Sequence, residues 1–210
     1  MDQAEQVFIE ATSIEEFESK VGILEGGLWL SCTAPLKHSP QSRLGVEGPD
    51  NVNAINQLMR SNGQWKGAST DGAGFVSACR HIGVEPSESI LRMRGGGSAA
   101  RSIASAWSSE GGSIIPEEGR RPLVGGPWKA SLVKSVNADI SIDLDAAPAG
   151  GESVELEAEV QVSISYNEAS SKGDFAVVMV VAQHLEAWKS LFAPSREKEM
   201  PSLEEVLSAL

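Results

Sequence analysis

This sequence is poor in the residues that build disulfide frameworks and metal centres. It holds two cysteines, three histidines and one tyrosine. Cys32 and Cys79 cannot form a disulfide framework, and neither stands at a metal-ligand spacing. Both read as small buried hydrophobes. His38, His81 and His184 are scattered, and no metal is assigned to them. No apolar run approaches the ~20 residues that span a bilayer, so no membrane partner is expected. The first residues, "MDQAEQVFIEATSIEEFE", are acidic and lack the basic-then-apolar order of a signal peptide, which makes a cytoplasmic protein the simplest expectation. Basic charge is also short: 17 Lys and Arg stand against 29 Asp and Glu, a net charge of −12. That excess repels a phosphate backbone and argues against nucleic acid as a partner.

What is present is the make-up of a soluble globular chain. Hydrophobic residues are 41% and charged residues 22% of 210, enough apolar material for one large domain or two small ones. "EQVFIEA" is a short apolar run with β-branched and aromatic residues, strand-like in composition. "SIEEFESKVGIL" opens on a Ser N-cap candidate with acids in its first turn, as a helix start should. "GLWLSCT" reads as a buried strand between glycines. In "INQLMRSNGQWKGA", an Asn-Gly between two strand-like runs signals a hairpin. "TDGAGFVSACRHIG" reads as a turn feeding a helix that stops at Gly83.

A Gly, Pro and Ser cluster, "IGVEPSES", marks a boundary. Beyond it comes a strand, "ILRMR", then a glycine loop and a helix. "SIIPEEGRRP", "ADISIDLDA" and "EVQVSISY" supply further strand candidates. "VVMVVAQHLEAWKSLFA" and "SLEEVLSAL" are helical. Alternating strands and helices indicate α/β architecture with largely parallel sheets.

"RGGGSAAR" sits between a strand and a helix. Gly95, Gly97 and Ala99 have a G-x-G-x-A spacing, which permits close approach of a pyrophosphate to a helix N-terminus. Arg92 and Arg94 are unexpected in a strand that should be apolar on both faces. Further on, Glu117 or Glu118 suits ribose hydroxyls, favouring NAD, whereas Arg120 or Arg121 suits a 2′-phosphate, favouring NADP.

Taken in order, these pieces resemble the shikimate dehydrogenase family. "CTAPLK" is similar to its V-T-x-P-x-K motif, and "AINQLMRSNGQWKGASTDGAGF" to its A-N-T-L segment, hairpin and N-T-D-G-x-G motif. "GGGSAAR" resembles the G-A-G-G-A-A-R cofactor loop, and "ADISIDLDAAPAG" the A-D-x-x-x-x-T-P-x-G segment. "SISYN" stands where the family has Y-N-P, and "MVVAQHLEAWKSLF" resembles its M-L-V-x-Q helix. The resemblance implies an α/β substrate-binding domain plus a Rossmann-type NAD(P)-binding domain, with the site in the cleft between them. The substrate domain would take residues 1–83, completed by C-terminal helices at 184–210, and the cofactor domain 84–183.

By position, the resemblance makes Lys37 and Asp71 the catalytic pair. Thr33, Asn56 and Gln183 would contact substrate hydroxyls, and Tyr166 would line the cleft. Gly95, Gly97, Ser98, Ala99 and Arg101, with Glu118 and Arg120, would hold the cofactor, NADP or alternatively NAD. The implied reaction is NAD(P)-linked reduction of 3-dehydroshikimate to shikimate in aromatic amino-acid biosynthesis, by a monomer or a homodimer. A Lys beside a carboxylate suits an alcohol dehydrogenase, because it can move the hydroxyl proton while the cofactor carries the redox chemistry.

The sequence also departs from the family pattern. It has no counterpart of the S-x-S segment that holds the substrate carboxylate, and its cofactor half is shortened. Ser98 replaces a loop glycine, Ala147 a Thr, Glu168 a Pro, and Phe175-Ala176 an Asp-Gly. These departures keep two further readings open: a quinate dehydrogenase, or a folded but weakly active or inactive relative that binds a ligand or partner.

Overall fold

A computed structural model describes residues 5–134, 137–146, 150–165 and 169–210. The described residues form two sheets. The first is antiparallel, in the order β1 (Leu28–Ser31), β2 (Gln57–Ser61), β3 (Gln64–Ala68). Asn62 and Gly63, at φ 49° and 75°, turn β2 into β3. Both angles are positive, as a two-residue hairpin of this hand requires. Helix α1 (Ile14–Gly22) starts where the sequence places it, with Ser13 Oγ accepting from the Glu16 N–H at 3.2 Å. It lays Ile14, Phe17 and Val21 onto the sheet, against Cys32, Val46, Ile55 and Leu58. A short helix α2 (Pro40–Arg43) follows β1.

The first sheet is antiparallel, as the Asn-Gly hairpin signal implies, because a two-residue turn can only return the chain antiparallel. Two other expectations are corrected in this half. β1 is not a buried strand: its side chains alternate between half-buried and exposed. Residues 5–11 carry no strand, despite their composition. Strand propensity becomes structure only when backbone groups find a ladder partner, and no described strand pairs with this segment. Phe8 is 92% exposed, while Ile9 and Ala11 pack against the core under α1.

Helix α3 (Asp71–His81) leaves the first sheet and ends at Gly83, whose φ of 84° suits glycine after a helix. The second sheet then follows as β4 (Ile90–Arg94), α4 (Ser98–Ser109), β5 (Ser113–Glu117), β6 (Ile140–Asp143) and β7 (Val160–Val162). All its strand pairs are parallel, in the order β5-β4-β6-β7. One face is wholly apolar. Leu91, Met93, Ile114, Ile140 and Ile142 are fully buried with Phe75 of α3 and Ile103 and Trp107 of α4, and each such side chain contributes roughly 2 kcal/mol by leaving water.

The opposite face explains the two arginines. Arg92 pairs with Glu117 at 2.8 Å, and Arg94 with Asp143 at 3.1 Å. No helix among the described residues covers them. Backbone of residues 152–156 runs across instead: Glu152 O accepts from Arg94 Nη1 at 3.1 Å, Val154 N donates to Asp143 at 3.0 Å, and Leu156 O accepts from Ser141 Oγ at 2.9 Å. The strand alternates Leu91 and Met93 toward the helices with Arg92 and Arg94 toward this polar cover, so it is amphipathic rather than apolar.

Helix α5 (Phe175–Ala187) packs along α3. It continues through a turn at Trp188–Phe192 and ends, after Pro194–Glu199, in α6 (Leu203–Ala209). Trp29 of β1 lies 4.5 Å from the Trp188 ring and 3.6 Å from Phe192, centroid to centroid. The C-terminal part therefore returns to the first sheet. Among the described residues no helix is long and apolar enough to cross a membrane.

Candidate active site

Lys37 is carried on a one-turn helix, Leu36–His38, that follows the cis Ala34–Pro35 bond after β1. Asp71 is the first residue of α3, where its charge meets the positive end of the helix dipole. The two meet with Lys37 Nζ 2.7 Å from Asp71 Oδ2, although 34 residues separate them. Their side chains are 18% and 5% exposed. The lysine thus opens toward solvent while the carboxylate is shut in.

Asn56 organises the carboxylate. Its Nδ2 donates to Asp71 Oδ1 and to Thr70 Oγ1, both at 3.0 Å, while its Oδ1 accepts from Thr70 N at 2.6 Å. The Asn56 backbone is fixed as well: its N–H donates to Ala68 O at 3.1 Å and its carbonyl accepts from Cys32 N at 2.7 Å. Both amide ends are therefore engaged within the protein. Thr70 is a participant that spacing alone does not reveal, beyond its place before Asp-Gly.

Gln183 lies half-buried on α5 at its crossing with α3. A methyl group at Gly74, one helical turn beyond Asp71, would lie 2.7 Å from Gln183 Cβ. Thr33 is exposed, its hydroxyl 3.4 Å from Ala34 O. Tyr166 lies outside the described residues, as do Ala147 and Glu168. The structure thus bonds Lys37, Asp71 and Asn56 into one cluster and sets Gln183 against the same helix. Beside it stands a polar link absent from the sequence reading: His184 Nε2 is 3.2 Å from Ser31 Oγ, which donates to buried Gln57 Oε1 at 3.1 Å. Cys32 is no nucleophile here. Burial pushes its thiol up to about 11, against the pull of nearby Lys37. An apolar groove of about 470 Å³, lined by Val180, Leu185, Trp188 and Val206, holds neither Lys37 nor Asp71. Among the described residues no cluster of His, Cys, Asp or Glu is arranged for a metal ion.

The glycine loop joins β4 to α4 where the strand order reverses, between β4 and β6. Such a switch point is where parallel α/β sheets bind ligands. Gly95 takes φ 105°, a conformation that favours glycine. Gly97 caps α4 and has open space where a side chain would stand. Ser98 and Ala99 open the helix, so their N–H groups lack helical partners. Gly96 is different, because the Pro122 carbonyl and Leu123 N lie directly against it.

Several other loop candidates are engaged inside the protein. Arg101 donates to Val52 O, Asn53 O and Gly96 O at 2.6, 2.9 and 3.1 Å. Glu117 pairs with Arg92. The backbone N–H of Arg120 donates to Asp145 Oδ2, and its side chain lies 3.8 Å from the same oxygen. Glu118 and Arg121 are exposed.

No family model matches the chain. It is 38% identical over 96 residues to the NADP(+) shikimate dehydrogenase of Xanthomonas campestris pv. campestris strain B100, covering 41% of this chain and 32% of that one. With the corresponding enzyme of Bordetella petrii it shares 28% identity over 142 residues, 64% of this chain and 50% of that one. Against solved structures, it superposes on shikimate 5-dehydrogenase of Thermus thermophilus, in complex with NADP(H) and shikimate, with a TM-score of 0.67 at 18% identity, over 94% of this chain and 84% of that one. An Ael1 enzyme from Pseudomonas putida gives a TM-score of 0.69 at 19% identity, with coverage of 94% and 84%. The fold is that of the shikimate dehydrogenases. The chain spans about a third to a half of the length of the curated relatives it matches. The shikimate dehydrogenase fold puts the glycine loop at the end of one parallel strand and the Lys37–Asp71 pair at the start of the helix that links the two sheets.

Proposed function

We propose that this protein is a shikimate dehydrogenase that uses NADP to reduce 3-dehydroshikimate to shikimate. The observation that carries this reading is the 2.7 Å pair of Lys37 and Asp71, in a fold shared with shikimate dehydrogenases. Residues 1–83 with 184–210 make the substrate-binding part, and 84–183 the cofactor part. The similarity to NADP(+) enzymes supports NADP as the cofactor, and exposed Arg121 offers a cation for a 2′-phosphate.

The residues present fit a dinucleotide. Open Gly97, Ser98 and Ala99 would receive its phosphates at the start of α4. When bound there, the nicotinamide supplies or accepts the hydride. This chain's own residues handle the proton. Asp71 Oδ2 anchors Nζ of Lys37 and leaves the ammonium two further N–H groups. In the direction of reduction, Lys37 gives one proton to the carbonyl oxygen as it becomes a hydroxyl. In oxidation Nζ takes that proton back. Asn56 holds Asp71 in place from the other oxygen, so the lysine approaches the substrate from a fixed direction. Gln183, beside Gly74, supplies an amide for a hydroxyl of the polyol.

The test is shikimate-dependent reduction of NADP, and separately of NAD, by the purified protein beside Lys37→Ala and Asp71→Asn. Turnover that both substitutions abolish is the expected result, with NADP the better oxidant. A wild-type rate equal to that of the variants would sink the reading.

A further inference from the structure

Two neighbouring side chains of α4 reach from the glycine-loop half into the half that carries Lys37 and Asp71. The Arg101 guanidinium spans three carbonyls. Nε donates to Val52 O at 2.6 Å and Nη2 to Asn53 O at 2.9 Å, on the segment that leads into Asn56. Nη1 donates to Gly96 O at 3.1 Å, inside the glycine loop. Ser98 Oγ, at the start of α4, receives a further bond from Nη2 at 3.3 Å. Ser102, only 3% exposed, accepts from the backbone N–H of Gly72 at 2.9 Å and shares a hydrogen bond with Ser69 Oγ at 2.9 Å. Gly72 directly follows Asp71, and Ser69 stands two residues before it.

The bonds land beside tightly packed positions. Val52 and Ala54 are fully buried in the core that α4 builds. At Gly72 a side chain would strike the Ser102 carbonyl, so α3 and α4 touch backbone to backbone. Only arginine suits the tether, because its planar fork can serve carbonyls of two separate segments at once, while a lysine offers one point charge. Burial, and then the charge of Arg121, disfavour the ionised Arg101. Its place is held by the hydrogen bonds.

We infer that Arg101 and Ser102 are positioning residues: they hold Asp71, and through it Lys37, in register with the glycine loop, so that proton and hydride reach the same substrate. This rests on the dehydrogenase reading above. It differs from the expectation that Arg101 is a cofactor ligand, since Nε and both terminal nitrogens already bond protein oxygens.

The experiment compares Arg101→Met, Arg101→Lys and Ser102→Ala with the wild type in three measurements. Steady-state kinetics should show kcat down on the order of tenfold to a hundredfold in Arg101→Met and less in Ser102→Ala, as a misplacement of about 1 Å at a reacting group does. KM for shikimate should stay within about threefold, since ground-state binding is untouched. Direct titration should find NADP affinity also within about threefold. Arg101→Lys should recover part of kcat. The double variant Arg101→Met with Ser102→Ala should lose less than the product of the single losses, because both act on one seam. Hydrogen exchange over residues 52–54 and 70–74 should rise in Arg101→Met while that of β2 and β3 stays unchanged.

Loss of NADP affinity with kcat intact would overturn the inference and make Arg101 a cofactor ligand. Unchanged exchange over residues 52–54 and 70–74 overturns it whatever the activity. A wild-type protein without turnover defeats the dehydrogenase reading, and the exchange data then still decide whether the tether exists.

Discussion

The two sheets use their buried charge differently. In the antiparallel half, one buried carboxylate, Asp71, meets a lysine whose side chain keeps 18% of its surface open. In the parallel half, Arg94–Asp143 is closed by backbone on both sides, with Glu152 O on the arginine and three N–H groups on the carboxylate, while Arg92–Glu117 and Arg120–Asp145 hold their partners at the surface of the sheet, Glu117 35% and Arg120 53% exposed. In Arg94–Asp143 both partners are engaged by further groups. A pair that does chemistry must leave one partner a free direction, and Lys37 has one. The contrast separates site from scaffold more sharply than burial does, since Asp71, Asp143 and Asp145 are all enclosed.

The sharpest way to break that contrast is Lys37→Ala. Loss of a positioned proton donor should lower kcat on the order of 10²–10⁴-fold, read by NADP reduction at saturating shikimate. The same change strips the buried Asp71 of its counter-charge, so stability should fall by about 2 kcal/mol, less than the ~3–5 kcal/mol of a fully buried pair because Lys37 is partly solvated. Thermal unfolding measures it. Stability lost with activity kept would make Lys37–Asp71 one more structural bridge.

Asp143→Asn tests the other half, with a smaller effect on a different observable. Asp143 is half-buried, and its partial loss of water alone would raise its carboxyl. The N–H groups of Val154, Asp145 and Ala146, with Arg94 beside it, more than offset this and hold it below its ordinary value. The folded state therefore favours the ionised form. That stabilisation is complete above the unfolded value of about 3.9 and disappears as pH falls through the lower folded value. At pH 7, Asp143→Asn should cost roughly 2 kcal/mol, which for a chain of this size lowers Tm by roughly 4–8 °C. The gap between variant and wild type should narrow below pH 4. Turnover per folded molecule at pH 7 should remain within about threefold. A large kinetic defect in a stably folded Asp143→Asn would put catalysis in the parallel half and erase the distinction.

Much of this is legible in the sequence. The Ser13 cap, the Asn62-Gly63 turn and the stop at Gly83 are local events, written in adjacent residues. The meeting of Lys37 with Asp71 is not local. Only the ordered resemblance to a family pointed to it, since no spacing rule brings together a loop lysine and a helix start 34 positions apart. Three features escaped for physical reasons. The tails of Arg92 and Arg94 looked wrong for a parallel strand because the polar cover at residues 152–156 lies far away in sequence. Residues 5–11 have strand chemistry without a paired neighbour among the described residues. Thr70, Ser69 and Ser102 are small hydroxyl residues whose meaning lies in what they touch.

The two cysteines offer the finest comparison, one in each core. Cys32 belongs to the small core under α1 and Cys79 to the larger core around α3 and α4. Burial raises both thiols, Cys32 to about 11 and Cys79 further, and only Cys32 has a cation, Lys37, pulling the other way. At pH 8 a thiol at that value is ionised in about one molecule in a thousand, so alkylation of the folded protein waits on local opening. A smaller core gives up less apolar area when it opens. Iodoacetamide followed by peptide mass spectrometry should therefore find both thiols protected at least about a hundredfold relative to the unfolded chain, with Cys32 modified first. Equal rates would mean that the two cores open together as one cooperative unit. Cys79 reacting first would mean that the parallel half, for all its ion pairs, is the looser of the two.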